Sequence, residues 1–95
     1  MGICFLKFKD ILIPLDNVFS FSVDYTSMCI NLKTLEGYRP VFSPSETMKY
    51  DFVLDDYLIY IGKVLSNGLS NSSNLIEFST FSSYDELKKA IESLS

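Results

Sequence analysis

The first half of the chain alternates apolar and polar residues with a period of two, the pattern of strands with one buried and one wet face. The alternation is strongest at residues 18–24. It is weaker in four other segments, at 3–9, 11–15, 28–33 and 38–42. Pro14 predicts an edge position for the second strand, because proline has no N–H to donate to a neighbour. The strongest segment predicts two faces with three residues on each: Phe19, Phe21 and Val23 inside, Ser20, Ser22 and Asp24 outside.

A longer apolar period follows Pro44 and predicts a helix over residues 46–66, with Ser45 as its N-cap. The same segment also fits a hairpin about Asp55-Asp56, because both halves are rich in residues that favour strands. The helix is preferred because its apolar stripe runs through the whole segment. At about 100° per residue that stripe, which would pack on the sheet, contains Tyr50, Leu54, Tyr57, Leu58, Ile61, Val64 and Leu65.

A last strand at 75–80 precedes a second helix, which Ser83 and Glu86 open with the spacing of a capping box. The element order is therefore β-β-β-β-β-α-β-α. The simplest arrangement is one antiparallel sheet of about five strands with two helices packed on it, an α+β fold. The 95 residues suit a single small globular domain, residues 1–95.

Composition narrows the classes of function. The net charge is −4, with seven lysines and only Arg39 as arginine, so we expect no direct binding to nucleic acid or to an anionic membrane. Cys4 and Cys29 are too few for a disulfide framework or a zinc site, and there is no histidine. We therefore expect free thiols in a reducing cytoplasm, with no cofactor and no metal. A bridge between the two cysteines stays open if their strands pair.

Catalytic motifs are absent from the sequence. Without histidine the commonest general base is missing, and the glycines form no phosphate-binding loop. Only carboxylate chemistry remains, on Asp51, Asp55 and Asp56, and a solvated acidic helix face is the simpler interpretation of these residues. The chain is therefore expected not to be an enzyme.

A second apolar stripe on the predicted first helix suggests a partner. Met48, Phe52 and Ile59 fall within about 40° of one another, nearly opposite the inward stripe. Charged residues surround them, which is the composition of a protein–protein contact. Two other interpretations stay open: the final helix covers the stripe, or its members are isolated exposed residues. The charged neighbours are Lys49, Asp51, Asp55, Asp56 and Lys63.

These observations lead to the hypothesis of a non-enzymatic protein-binding module. Abundant Ile, Lys, Asn, Phe and Tyr suggest an AT-rich coding sequence, so the module would be an inhibitor encoded by a phage or mobile element, with an anti-CRISPR-like role as one form. Its partner would be a nucleic-acid-binding protein with a basic surface, which Asp51, Asp55 and Asp56 would meet. The alternatives are a homo-oligomer, built through an edge strand or the Met48–Phe52–Ile59 stripe, and a small-ligand binder using the aromatic residues.

Overall fold

A computed structural model describes residues 3–94, which form six strands and two α-helices. Short 3-10 turns at Leu15–Asn17 and Glu46–Met48 precede the third strand and the first helix. The predicted α+β class is confirmed. In chain order the elements are β1 (Phe5–Phe8), β2 (Ile11–Pro14), β3 (Val18–Asp24), β4 (Cys29–Thr34), β5 (Gly37–Phe42), α1 (Asp51–Ser70), β6 (Leu75–Phe78) and α2 (Tyr84–Ser93).

The strands of residues 3–94 form two three-stranded sheets. In the first, β1 lies between β2 and β6, and in the second β3, β4 and β5 form an antiparallel meander. Because β1 pairs in parallel with β6, Phe5 lies opposite Leu75 and Phe8 opposite Phe78. The predicted single antiparallel sheet of about five strands is wrong, and so is its strand arrangement. Local alternation cannot reveal a parallel pair whose members are joined by a long crossover, here one that contains α1.

A β-bulge changes the predicted inner face of β3. Val18 pairs with Thr34 and Ser20 with Lys33, so Phe19 is the extra residue. The bulge leaves Phe19 58% exposed, whereas Phe21 packs against the core as predicted. The prediction that Phe19 points inward is therefore wrong, because a bulge interrupts the period of two.

Local hydrogen bonds and one glycine shape the two turns of the second sheet. The Asp24 carboxylate accepts hydrogen bonds from the backbone N–H groups of Thr26 (3.0 Å) and Ser27 (3.1 Å), which orders the turn between β3 and β4. These bonds, led by those from Ser27, lower the pKa of Asp24. Gly37 has a φ of +114° where β5 begins, a conformation that glycine adopts without strain.

Helix α1 confirms the helical interpretation of the segment, but it begins five residues later than predicted, at Asp51. The chain leaves the 3-10 turn with Lys49 at ψ 71° and Tyr50 extended at ψ 146°, which breaks the helical phase. Met48 consequently lies in the core, only 2% exposed, and Tyr50 is 58% exposed. The expected positions of these two residues are thus wrong, because the projection assumed one continuous helix from residue 46.

Both sheets and both helices share one core. The face of α1 that covers it is formed by Val53, Leu54, Tyr57, Tyr60 and Ile61. Phe8 stacks on its ladder partner Phe78 with centroids 4.2 Å apart, and it contacts Phe21 of the second sheet at 6.0 Å. The core residues of the strands are Leu6, Phe8, Ile13, Ile30, Leu32, Val41, Phe42, Ile76 and Phe78.

Tyr57 connects the two sheets. Its ring stacks on Phe42 of β5 with centroids 3.7 Å apart and planes 6° from parallel. Its hydroxyl donates a 2.8 Å hydrogen bond to the carbonyl of Ser79, just beyond β6. The Ser79 N–H donates in turn to the hydroxyl of Tyr60 at 2.9 Å. Two tyrosines of α1 therefore satisfy both backbone groups of one residue at the end of β6.

Helix α2 begins at the predicted cap. The hydroxyl of Ser83 accepts a hydrogen bond from the Glu86 N–H at 3.3 Å. The Glu86 carboxylate reaches back to the N–H of Ser82, one residue before the position expected for a capping box. Leu87 is fully buried and fixes the inner side of this helix against the core.

The two glycines of α1 provide a matched test of packing against β6. A Cβ on Gly62 would meet nothing within 4 Å, so Gly62→Ala should raise the free energy of unfolding by about 0.5–1 kcal/mol through helix propensity. A Cβ on Gly68 would lie 2.6 Å from Cδ1 and Cγ1 of Ile76. Overpacking costs about 1–3 kcal/mol, so Gly68→Ala should lower stability despite the same helical gain. Urea unfolding followed by circular dichroism measures both changes, and equal stabilisation by both variants would contradict this packing.

Candidate functional site

Exposed aromatic rings cluster where α1 and α2 meet. Phe52 stacks on Tyr50, with centroids 5.3 Å apart and planes 14° from parallel. The ring of Tyr84 lies 5.1 Å from Phe52 at 86°, nearly perpendicular. Tyr50 and Phe52 remain 58% and 48% exposed despite these contacts. Tyr84 is partly buried and packs against the core. Two exposed rings and one partly buried ring are therefore held in defined orientations, and we call the three the aromatic cluster.

Two of the three residues of the predicted second stripe lie exposed on the outer side of α1. Phe52 and Ile59 are two turns apart on one side of the helix, and Ile59 is 50% exposed. Met48 does not join them, since it lies in the core. Helix α2 contacts Phe52 at its edge through Tyr84, but it does not bury it. The exposed apolar residues Phe52 and Ile59 are thus separated by the helical turn that carries Asp55 and Asp56.

Two tyrosine hydroxyls flank this surface and hold its aspartates. Tyr84 of α2 donates a 2.6 Å hydrogen bond to Oδ2 of Asp56. On the other flank Tyr25, in the turn between β3 and β4, donates to Oδ1 of Asp55. Asp55 and Asp56 lie on opposite sides of Phe52 around the helix. The outer side of α1 is therefore tied to the β3–β4 hairpin on one flank and to α2 on the other.

These hydrogen bonds keep the phenols neutral and leave the charge on the carboxylates. The Asp55 carboxylate, by accepting a hydrogen bond from its hydroxyl, raises the pKa of Tyr25, and Asp56 raises the pKa of Tyr84 in the same way. A tyrosine that stays protonated donates without neutralising its acceptor. Asp51 adds a third exposed carboxylate in the first turn of α1, one helical turn before Asp55.

The structure brings five of the six residues predicted for a protein contact together on one side of a helix. Asp51, Phe52, Asp55, Asp56 and Ile59 share the outer side of α1, and only Met48 is removed. Tyr25, Tyr50 and Tyr84 were missed. The periodicity places Tyr50 in the inward stripe, and no local signal in the sequence places Tyr25 beside Asp55 or Tyr84 beside Asp56. We call the combined surface the acidic–aromatic face: Tyr50, Asp51, Phe52, Asp55, Asp56, Ile59 and Tyr84.

One lysine near the start of α1 pairs outside the three aspartates of the face. Lys49, expected beside the stripe, directs its ammonium to Glu46 at 3.1 Å, within the turn that precedes α1. The face therefore presents fixed negative charge beside exposed rings. Chemically it can accept hydrogen bonds and bind cationic groups through carboxylates and ring faces.

Other regions offer less defined chemistry. A groove of about 310 Å³ runs between β2 and the β4–β5 hairpin, lined by residues that include Leu12, Leu35 and Arg39. The core aromatics are packed on one another, as in the Phe42–Tyr57 stack, so they do not line a ligand cavity. Cys4 and Cys29 are both free thiols, and burial raises the pKa of Cys29.

Residues 3–94 hold no group of three or more side chains suited to a metal ion, and no helix among them is long and apolar enough to span a membrane. Comparisons with known proteins find no match among protein-family models, curated proteins or solved structures. No relative therefore indicates what the acidic–aromatic face binds.

The two tyrosine–aspartate pairs can be separated by titration. In Asp56→Asn the acceptor loses its charge, so the pKa of Tyr84 should fall toward the ordinary phenol value of about 10 while the pKa of Tyr25 stays raised. Asp55→Asn should have the reciprocal effect. Tyrosine ¹³C NMR against pH measures both. Because each pKa is raised by folding, the stabilisation is present below the unfolded value and is lost as pH rises through the folded one. Unchanged phenol titrations in both variants would contradict the pairs.

Proposed function

We propose that the protein is a non-enzymatic binding module whose acidic–aromatic face contacts a basic surface of a protein partner. The observation that carries this proposal is the exposed aromatic cluster flanked by aspartates that tyrosine hydroxyls hold in place. Aromatic residues are enriched in interface hot spots, and large apolar side chains ringed by charge are typical of contact surfaces. Rings that are already ordered lose little conformational entropy on binding.

The charge of the face indicates the character of the partner. Three carboxylates on α1 and a net charge of −4 would attract a positively charged surface and repel an acidic one. We propose that this surface belongs to a nucleic-acid-binding protein in the cytoplasm, and that the module inhibits it by occupying the basic site. An origin in a phage or mobile element rests on the amino-acid bias alone.

The test is affinity capture from bacterial lysate with matched variants. Phe52→Ser/Ile59→Ser removes the apolar part of the face, and both residues are about half exposed, so the fold should persist. Phe19→Ser/Leu35→Ser is the control, because Phe19 and Leu35 are 58% and 65% exposed on the β3 bulge and the β4–β5 turn. We expect one stoichiometric partner with the wild type and the control, and its loss with the Phe52/Ile59 variant. Mass spectrometry identifies it.

Charge supplies an independent arm of the same experiment. Asp51→Lys/Asp55→Lys should abolish capture, and rising salt should weaken capture by the wild type, because exposed charges are screened. Circular dichroism would verify that each variant is folded. A partner retained by both the serine and the lysine variants would refute the assignment of this face.

A homo-oligomer is the second candidate, and one observation favours it. The outer side of the first sheet carries an apolar row of Pro14, Phe5 and Leu75, which are neighbours in the ladder. Leu12 and Leu75 on this side are 57% and 45% exposed. If capture yields no partner, a dimeric mass in light scattering that returns to monomer in Leu12→Ser/Leu75→Ser would support self-association.

A further inference from the structure

We propose that the acidic–aromatic face recognises an arginine-rich segment of its protein partner, with guanidinium groups that stack on the exposed rings and pair with the adjacent aspartates. This inference rests on the proposed function and specifies the chemistry of the partner. It follows from the juxtaposition of flat ring surfaces and carboxylates on one helix side.

The rings have the orientation that a planar cation requires. Stacking on Phe52 uses one face of the Tyr50 ring, and Tyr50 is still 58% exposed. Tyr84 is partly buried and stands at 86° to Phe52, so it supports the Phe52 ring from the side and leaves the Tyr50 ring open to a planar group. A guanidinium group is planar and weakly hydrated, and it stacks on aromatic faces as well as binding them through cation–π attraction.

The carboxylates stand within reach of a guanidinium on these rings. Asp56 lies one helical turn from Phe52, and Asp55 one turn from Asp51, so each pair is adjacent on the helix surface. Each tyrosine–aspartate bond uses one acceptor site of a group that has about four. The remaining capacity accepts the paired N–H groups of arginine, whose fork matches a carboxylate.

The same geometry favours arginine over other cations. A lysine ammonium is a compact, strongly hydrated charge that cannot stack, so it would gain from the aspartates but little from the rings. A divalent metal ion would need grouped ligands, and the described residues contain no such group. Within the protein, Lys49 pairs with Glu46, so this ammonium is directed away from the aspartates of the face.

The test compares two synthetic peptides of equal charge, one with six Arg-Gly repeats and one with six Lys-Gly repeats. Titration into the ¹⁵N-labelled protein should shift amide signals of α1 between Asp51 and Ile59 and at Tyr84. The arginine peptide should bind about two- to fivefold more tightly, the range expected for cation–π contacts at exposed sites. Equal affinities, or shifts confined to other surfaces, would overturn the inference.

Variants separate stacking from charge. Tyr50→Leu/Phe52→Leu keeps apolar side chains but removes both exposed rings, so the arginine preference should disappear while the lysine peptide binds as before. Phe19→Leu, on the β3 bulge, should leave both affinities unchanged. Asp51→Asn/Asp55→Asn should weaken both peptides alike. A preference that survives in Tyr50→Leu/Phe52→Leu would show that the exposed rings are not its source.

The inference and the proposed function fail in different experiments. Equal binding of both peptides overturns the arginine inference even where capture of the lysate partner depends on Phe52 and Ile59. Capture that is insensitive to those residues overturns the proposed function, whatever the peptides do.

Discussion

The side chain of Tyr57 fixes how α1 lies on the core, because this one residue contacts both sheets. Its ring lies on Phe42 of the second sheet, and its hydroxyl bonds to Ser79 at the end of the first. It is fully buried, and burial raises its pKa, so the phenol stays a neutral donor. Removing the ring would leave a large cavity between α1 and both sheets.

A helix held so firmly on its inner side has little freedom of rotation, and this determines what its outer side presents. Phe52 and Ile59 face outward because Val53, Tyr57 and Tyr60 face inward. The hydrogen bonds from Tyr25 and Tyr84 then hold the aspartates on either flank. The acidic–aromatic face is therefore a consequence of core packing, and its rings and charges are arranged before any partner arrives.

Local patterns in the sequence predict local structure well. The alternation at 18–24 predicts β3, and the serine at position 83 predicts the start of α2. Features that depend on distant contacts were out of reach, such as the β1–β6 pair and the bulge at Phe19. Met48 shows how a distant contact changes the predicted site. One extended residue, Tyr50, shifts the helical phase, and Met48, predicted at the surface, lies in the core.

The parallel pairing of β1 with β6 also has a consequence during synthesis. Phe5 leaves the ribosome long before its partner Leu75, whereas β3, β4 and β5 are consecutive hairpins that can pair as they emerge. The first sheet therefore closes last, and until then β1 has one unpaired edge. Edges of this kind are where nascent chains aggregate. The lysines at positions 7 and 9, within and beside β1, place positive charge on that waiting strand, a device that discourages pairing with a second chain.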